Sequence, residues 1–204
     1  MHPYELAKTT ARALRVEYGL ATPCVRRSDL RRIYRAEHIV IDFRSGLRTL
    51  RGAYFYDGEI GPSVLIARGL PPEPTIFTMG HELKHHFIDR PAGLVESFCA
   101  TTNVSDTIEK AAEIFAAELV YPDDAFIADL EHRGIARGAC DAAAIVRLKH
   151  ETKTTLSYAS LSKRATFFGF APPASLDRIS WHKLEEAMYG EPLYKRILRR
   201  RRSA

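Results

Sequence analysis

Apolar positions along this chain fall into two patterns, helical spacing and short continuous runs. Over residues 2–18, Leu6, Ala7, Leu14 and Tyr18 recur at near-helical spacing and predict a helix with one buried face. Val25-Arg26-Arg27-Ser28-Asp29-Leu30 leads into a second short helix through about Ala36. The pattern then shortens. His38–Phe43, Gly52–Tyr56 and Ser63–Ala67 are short, β-prone runs, and Asp57-Gly58 and Gly61-Pro62 punctuate them as turns. They predict a small three-stranded sheet.

After Leu70-Pro71-Pro72-Glu73-Pro74, which reads as a rigid break, the period becomes helical again. Ile76, Met79, Leu83 and Phe87 form a stripe on a helix starting near Thr75 and ending near His86 or Asp89. Ile108, Ala112, Phe115 and Leu119 do the same on a helix from about Thr107 to Tyr121, stopped by Pro122. Further helices are expected at about 123–132, 141–150, 157–168 and 178–188. The fold class is therefore α+β, organised as a core over 1–125, a helical segment over 126–170 and a C-terminal part over 171–204.

Composition narrows the class. The chain has 204 residues, enough for one sizeable core and a small appendage, and no apolar run approaches the roughly 18 residues of a membrane span. The N-terminus lacks a basic segment followed by an apolar stretch, so a cytoplasmic protein is expected. Cys24, Cys99 and Cys140 are odd in number and widely spaced, which argues for reduced structural thiols. The net charge of +5 comes from the tail: Lys195, Arg196, Arg199, Arg200, Arg201 and Arg202 stand in the last ten residues with no acid. Such a tail is a solvated end or a weak nucleic-acid contact.

The chemistry lies in His81-Glu82-Leu83-Lys84-His85. On a helix, positions i and i+4 share a face, so both imidazoles can take one cation while Glu82 reaches a water beside it. Neutral imidazole and carboxylate suit zinc, with manganese as the alternative in the cell. Glu82 is the candidate general base. His86 points elsewhere on the helix and is expected at the surface or beside a ligand. The extended zinc motif is absent, because Ile88 and Pro91 stand where its Gly and His would be. A third ligand must come from another helix. Glu109 and Glu113 are four apart on one face, so one can bind the ion and the other can hold a ligand histidine by its second nitrogen. Glu109 is the favoured ligand and Glu113 the supporting group. Tyr121 and His86 are candidate donors to the oxyanion of a tetrahedral intermediate.

Phe77-Thr78-Met79-Gly80-His81-Glu82-Leu83-Lys84-His85-His86, followed by Glu109-Lys110-Ala111-Ala112-Glu113-Ile114-Phe115-Ala116-Ala117-Glu118-Leu119-Val120-Tyr121-Pro122, resembles the ImmA/IrrE metallopeptidases. The second motif of that family reads roughly E-x-x-A-N-x-F-A-x-x-L-L-x-P. The resemblance spans about residues 1–170. It implies a gluzincin-like, zincin-type core with the third ligand at Glu109. It also implies a helix-turn-helix (XRE-like) repressor as substrate, whose cleavage releases a stress-response or mobile-element programme. Two positions depart from the pattern. Glu113 replaces an Asn, which leaves the choice of ligand glutamate open. Lys84 replaces a common Gly, placing a cation near the cleft or in solvent.

Residues 141–168 resemble the helix-turn-helix-like segment after the peptidase core in that family. Tyr158, Ser160, Ser162, Lys163 and Arg164 are the side chains that would meet base edges if it bound DNA. The competing readings are a non-catalytic metal-containing regulator that binds a repressor or DNA, and a toxin–antitoxin component.

Overall fold

The computed structural model describes residues 1–20, 23–47, 49–94, 106–192, 195 and 197. The element order is α1 (Pro3–Glu17), α2 (Arg27–Ala36), β1 (Val40–Arg44), β2 (Gly52–Asp57), β3 (Gly61–Ala67), α3 (Pro72–Lys84), a π-helical turn (His85–Asp89), α4 (Asp106–Val120), α5 (Asp123–His132), α6 (Ala142–Thr152), α7 (Tyr158–Phe167) and α8 (Trp181–Tyr189). The chain divides into two compact units, one of residues 1–126 with 152–157, the other of 127–151 with 158–204. No helix among the described residues is long and apolar enough to cross a membrane. Cys24 and Cys140 are free thiols, and burial pushes the Cys140 thiol up to about 11. Cys99 and most of the basic tail lie outside the described residues.

In the first unit, Ala7, Ala11 and Leu14 of α1 pack inward, whereas Leu6 lies on the exposed side. Polar contacts add to the α1–α4 seam. Arg12 Nε donates to Glu118 at 2.6 Å, and the buried Arg15 donates to the Leu119 carbonyl at 2.5 Å. α2 ends where His38 adopts φ 53°, and the Ile39 amide bonds back to Tyr34 at 2.8 Å. This left-handed cap delays β1 to Val40, two residues later than the apolar run suggested.

The sheet order is β1-β3-β2, with β3 central, parallel to β1 and antiparallel to β2. The β2–β3 hairpin closes over Asp57, whose carboxylate accepts the Glu59 and Ile60 amides at 2.8 and 2.9 Å. Ala53, Tyr54, Val64, Ile66 and Ala67 are its buried side chains.

α3 starts at Pro72 rather than Thr75. Pro72 and Pro74 fall in the first turn, where an amide has no intrahelical partner anyway, so the prolines open the helix instead of blocking it. Its burial also differs from a simple amphipathic pattern. Met79 and Leu83 are enclosed, but so are Glu82, Lys84, His85, His86 and Asp89. α4 crosses α3 at small residues. A Cβ on Gly80 would meet Ala116 Cβ at 3.4 Å. That close approach brings the next residue, His81, within reach of α4.

In the second unit, Ile145, Val146, Leu148, Leu161, Ala165 and Phe170 are buried. Tyr158 stacks on Trp181 with ring centroids 5.2 Å apart, and His150 on Tyr189 at 3.7 Å. Tyr158, Ser162 and Arg164 are buried here, and Ser162 donates to the Tyr158 carbonyl at 2.7 Å. Of the five side chains considered for base contact, only Lys163 is exposed and Ser160 half-buried. The amphipathic face that packs this unit uses the others.

Candidate metal centre

His81 lies in the last turn of α3, His85 opens the π-helical turn that follows it, and Glu109 lies in the first turn of α4. His81 Nε2 lies 3.1 Å from Glu109 Oε2, and His85 Nε2 lies 3.7 Å from Glu109 Oε1. Ligand atoms of the three residues all fall within 4.8 Å of one another. A tetrahedral ion with bonds of about 2.0–2.1 Å separates neighbouring ligand atoms by roughly 3.3 Å. The two measured separations bracket that edge, and two imidazoles with one carboxylate suit a divalent cation. The residues present therefore fit such an ion. Exposure is graded: His85 is enclosed, His81 is 18% exposed and Glu109 47%.

The π-helical turn supplies the support for His85. Its wider winding runs the Arg90 amide back to the His85 carbonyl at 2.9 Å. Asp89 then accepts from His85 Nδ1 at 2.6 Å, which leaves Nε2 as the lone-pair nitrogen facing Glu109. Glu113, the residue expected in this supporting position, is exposed and makes no hydrogen bond among the described residues. Its charge does help to raise the His81 pKa. Asp89 was not singled out in the sequence. Its signal was an acid four residues beyond His85.

Lys84 is likewise buried, contrary to a cleft or solvent position. Its Nζ donates to Asp89 Oδ1 and Oδ2 at 2.8 and 2.7 Å and to the Ile108 carbonyl at 3.1 Å.

Glu82 is 4% exposed and stands against β2. A Cβ at Gly52 would lie 2.6 Å from Glu82 Oε1 and 2.4 Å from Thr78 Cγ2. A side chain at position 52 would therefore displace Glu82 or Thr78. Burial raises the Glu82 pKa, partly offset by the neighbouring imidazoles of His81 and His85. A carboxylate moved upward in this way is suited to taking a proton near neutral pH.

The two candidate oxyanion donors are engaged elsewhere. His86 is enclosed, with Nε2 3.3 Å from Glu37 Oε2 and Nδ1 3.1 Å from the Tyr54 hydroxyl. The carboxylate can only accept, so Nε2 carries the proton and Nδ1 accepts from Tyr54. Burial holds the His86 pKa down, in keeping with a neutral ring. Tyr121 is fully enclosed, its ring 5.6 Å edge-on from Phe126. Neither presents a donor to a substrate.

The IrrE N-terminal-like domain family matches residues 37–159, more than half of the chain. The chain belongs to this family. None of the curated proteins matches it. The family is one of peptidases, and the matched stretch contains all three candidate ligands and Glu82.

In this family member, protonation and metal loading compete. Burial alone would lower the His81 pKa, but the Glu109 hydrogen bond and the charges of Glu82, Glu109 and Glu113 outweigh it and the net shift is upward. The same hydrogen bond, against a smaller opposing effect of burial, lowers Glu109. Without metal, the pair contributes its full stability between the ordinary values of 4.5 for Glu and 6.5 for His. That contribution is lost as pH rises through the elevated His81 pKa, or falls through the depressed Glu109 pKa. Metal affinity follows the opposite sign on the alkaline side, because binding ejects the His81 proton. Zinc competition titrations between about pH 5.5 and 8 should show affinity rising with pH. A flat profile would remove His81 from the ligand set.

Proposed function

We propose that this chain is a zinc-dependent endopeptidase with a zincin-like core, which cleaves a helix-turn-helix transcriptional repressor and so derepresses a stress-response or mobile-element programme. One observation carries the catalytic part: two imidazoles and a carboxylate from a second helix fall within one cation's reach, beside a buried carboxylate on the same turn. His81, His85 and Glu109 would hold the ion. When bound, a divalent cation there acidifies water and polarises a carbonyl oxygen.

The remaining chemistry belongs to the protein. Glu82 accepts the proton of the attacking water at a carboxylate oxygen and returns it to the leaving amine. The absence of a side chain at Gly52 leaves room for the Glu82 carboxylate. Asp89 fixes the His85 ring and its tautomer. Manganese is the alternative ion. The expected setting is the cytoplasm, with the arginine-rich tail adding at most a weak phosphate contact.

The substrate assignment rests on the family relationship. Incubating the zinc-loaded protein with the helix-turn-helix repressor encoded beside it should yield two fragments by mass spectrometry. A chelator should abolish them. An intact repressor alongside hydrolysis of generic unfolded peptides would retain the peptidase and discard this substrate.

A further inference from the structure

Lys84 is buried to 2% exposure, and its three hydrogen bonds among the described residues all lead to the metal centre. Two run to Asp89, which holds His85. The third runs to the carbonyl of Ile108, the residue before Glu109. One ammonium group thus bridges the support of a ligand on the π-helical turn and the backbone of a ligand on α4. A buried lysine needs acceptors for its protons, and here both acceptors adjoin ligand residues.

We propose that Lys84 is a positioning residue for the metal ion, setting the His85 ring through Asp89 and the first turn of α4 through Ile108. The inference rests on the metal centre proposed above. Its sign is distinctive. Removing a cation close to a metal site would by charge alone tighten metal binding. Loss of positioning weakens it, and removing such support typically costs about 10–100-fold in affinity.

The test is chelator competition for zinc, paired with the visible absorption spectrum of the cobalt-loaded protein. Wild type must bind zinc first; failure there defeats the metal centre itself and is a separate result. Lys84→Met should then bind zinc about 10–100-fold more weakly, with a changed cobalt spectrum reporting altered ligand geometry. Because that variant leaves Asp89 buried without its ammonium partner, Lys84→Met with Asp89→Asn serves as a companion that removes the buried negative charge as well. It should remain at least as weak as Lys84→Met. Wild-type affinity in the double variant, or unchanged or tighter binding in Lys84→Met, overturns the proposal, since Lys84 would then only neutralise a buried acid.

Discussion

Glu82→Gln is expected to cut peptide hydrolysis by about 10²–10⁴-fold while the protein still takes up one equivalent of zinc. Glutamine keeps the shape of the side chain and cannot accept the proton. The slot around Glu82 is tight, bounded by Gly52 and Thr78, so an isosteric change is the only mild one available. Burial already disfavours the charge on Glu82, and the variant should therefore fold at least as well as wild type. Kinetics on a fluorogenic peptide and metal analysis on the same preparation decide the matter. Activity within a few-fold of wild type would exclude Glu82 as the base. Loss of zinc would place Glu82 among the ligands.

Asp89→Ala should produce the largest change in stability. Asp89 and Lys84 are each about 3% exposed, and their ion pair is 2.7 Å long. Removing the acid strands a buried ammonium and leaves His85 Nδ1 without its acceptor. Breaking one side of such a pair costs about 3–5 kcal/mol. For a domain of this size that is a fall in melting temperature of roughly 6–20 °C. The measurement should be made on metal-free protein, so that ligand loss and core damage are not confused. Asp89→Asn retains an acceptor for His85 and should lose less. A fall below about 1 kcal/mol for Asp89→Ala would mean that water reaches Lys84.

The three candidate ligands were readable because helical periodicity fixes them. His81 and His85 follow from a spacing of four. The apolar stripe of the next helix put Glu109 and Glu113 on one face, and the family resemblance favoured Glu109. What surrounds them was less legible, for reasons that differ by residue. The role of Asp89 depends on a π-helical turn, and no local spacing rule announces that change of winding. Lys84 was expected near the cleft or in solvent, and His86 at the surface or beside a ligand, because charge normally predicts exposure. Their burial depends on partners distant in sequence, Ile108 for one, Glu37 and Tyr54 for the other. Glu113 was expected to support a ligand, but its helix turns it outward. The strand positions followed from short β-prone runs and the turns between them, whereas the β1-β3-β2 order is a tertiary outcome.

The small size of residue 52 carries a consequence for how this protein tolerates change. The position offers no titratable group, no hydrogen-bonding side chain and no contact with an ion, yet any larger residue would push into the space of the general base. Random mutagenesis scored by lost proteolysis should therefore recover substitutions there as readily as at chemically obvious positions, with metal uptake preserved. A searcher who looks only for reactive groups would overlook it, because what it contributes is room.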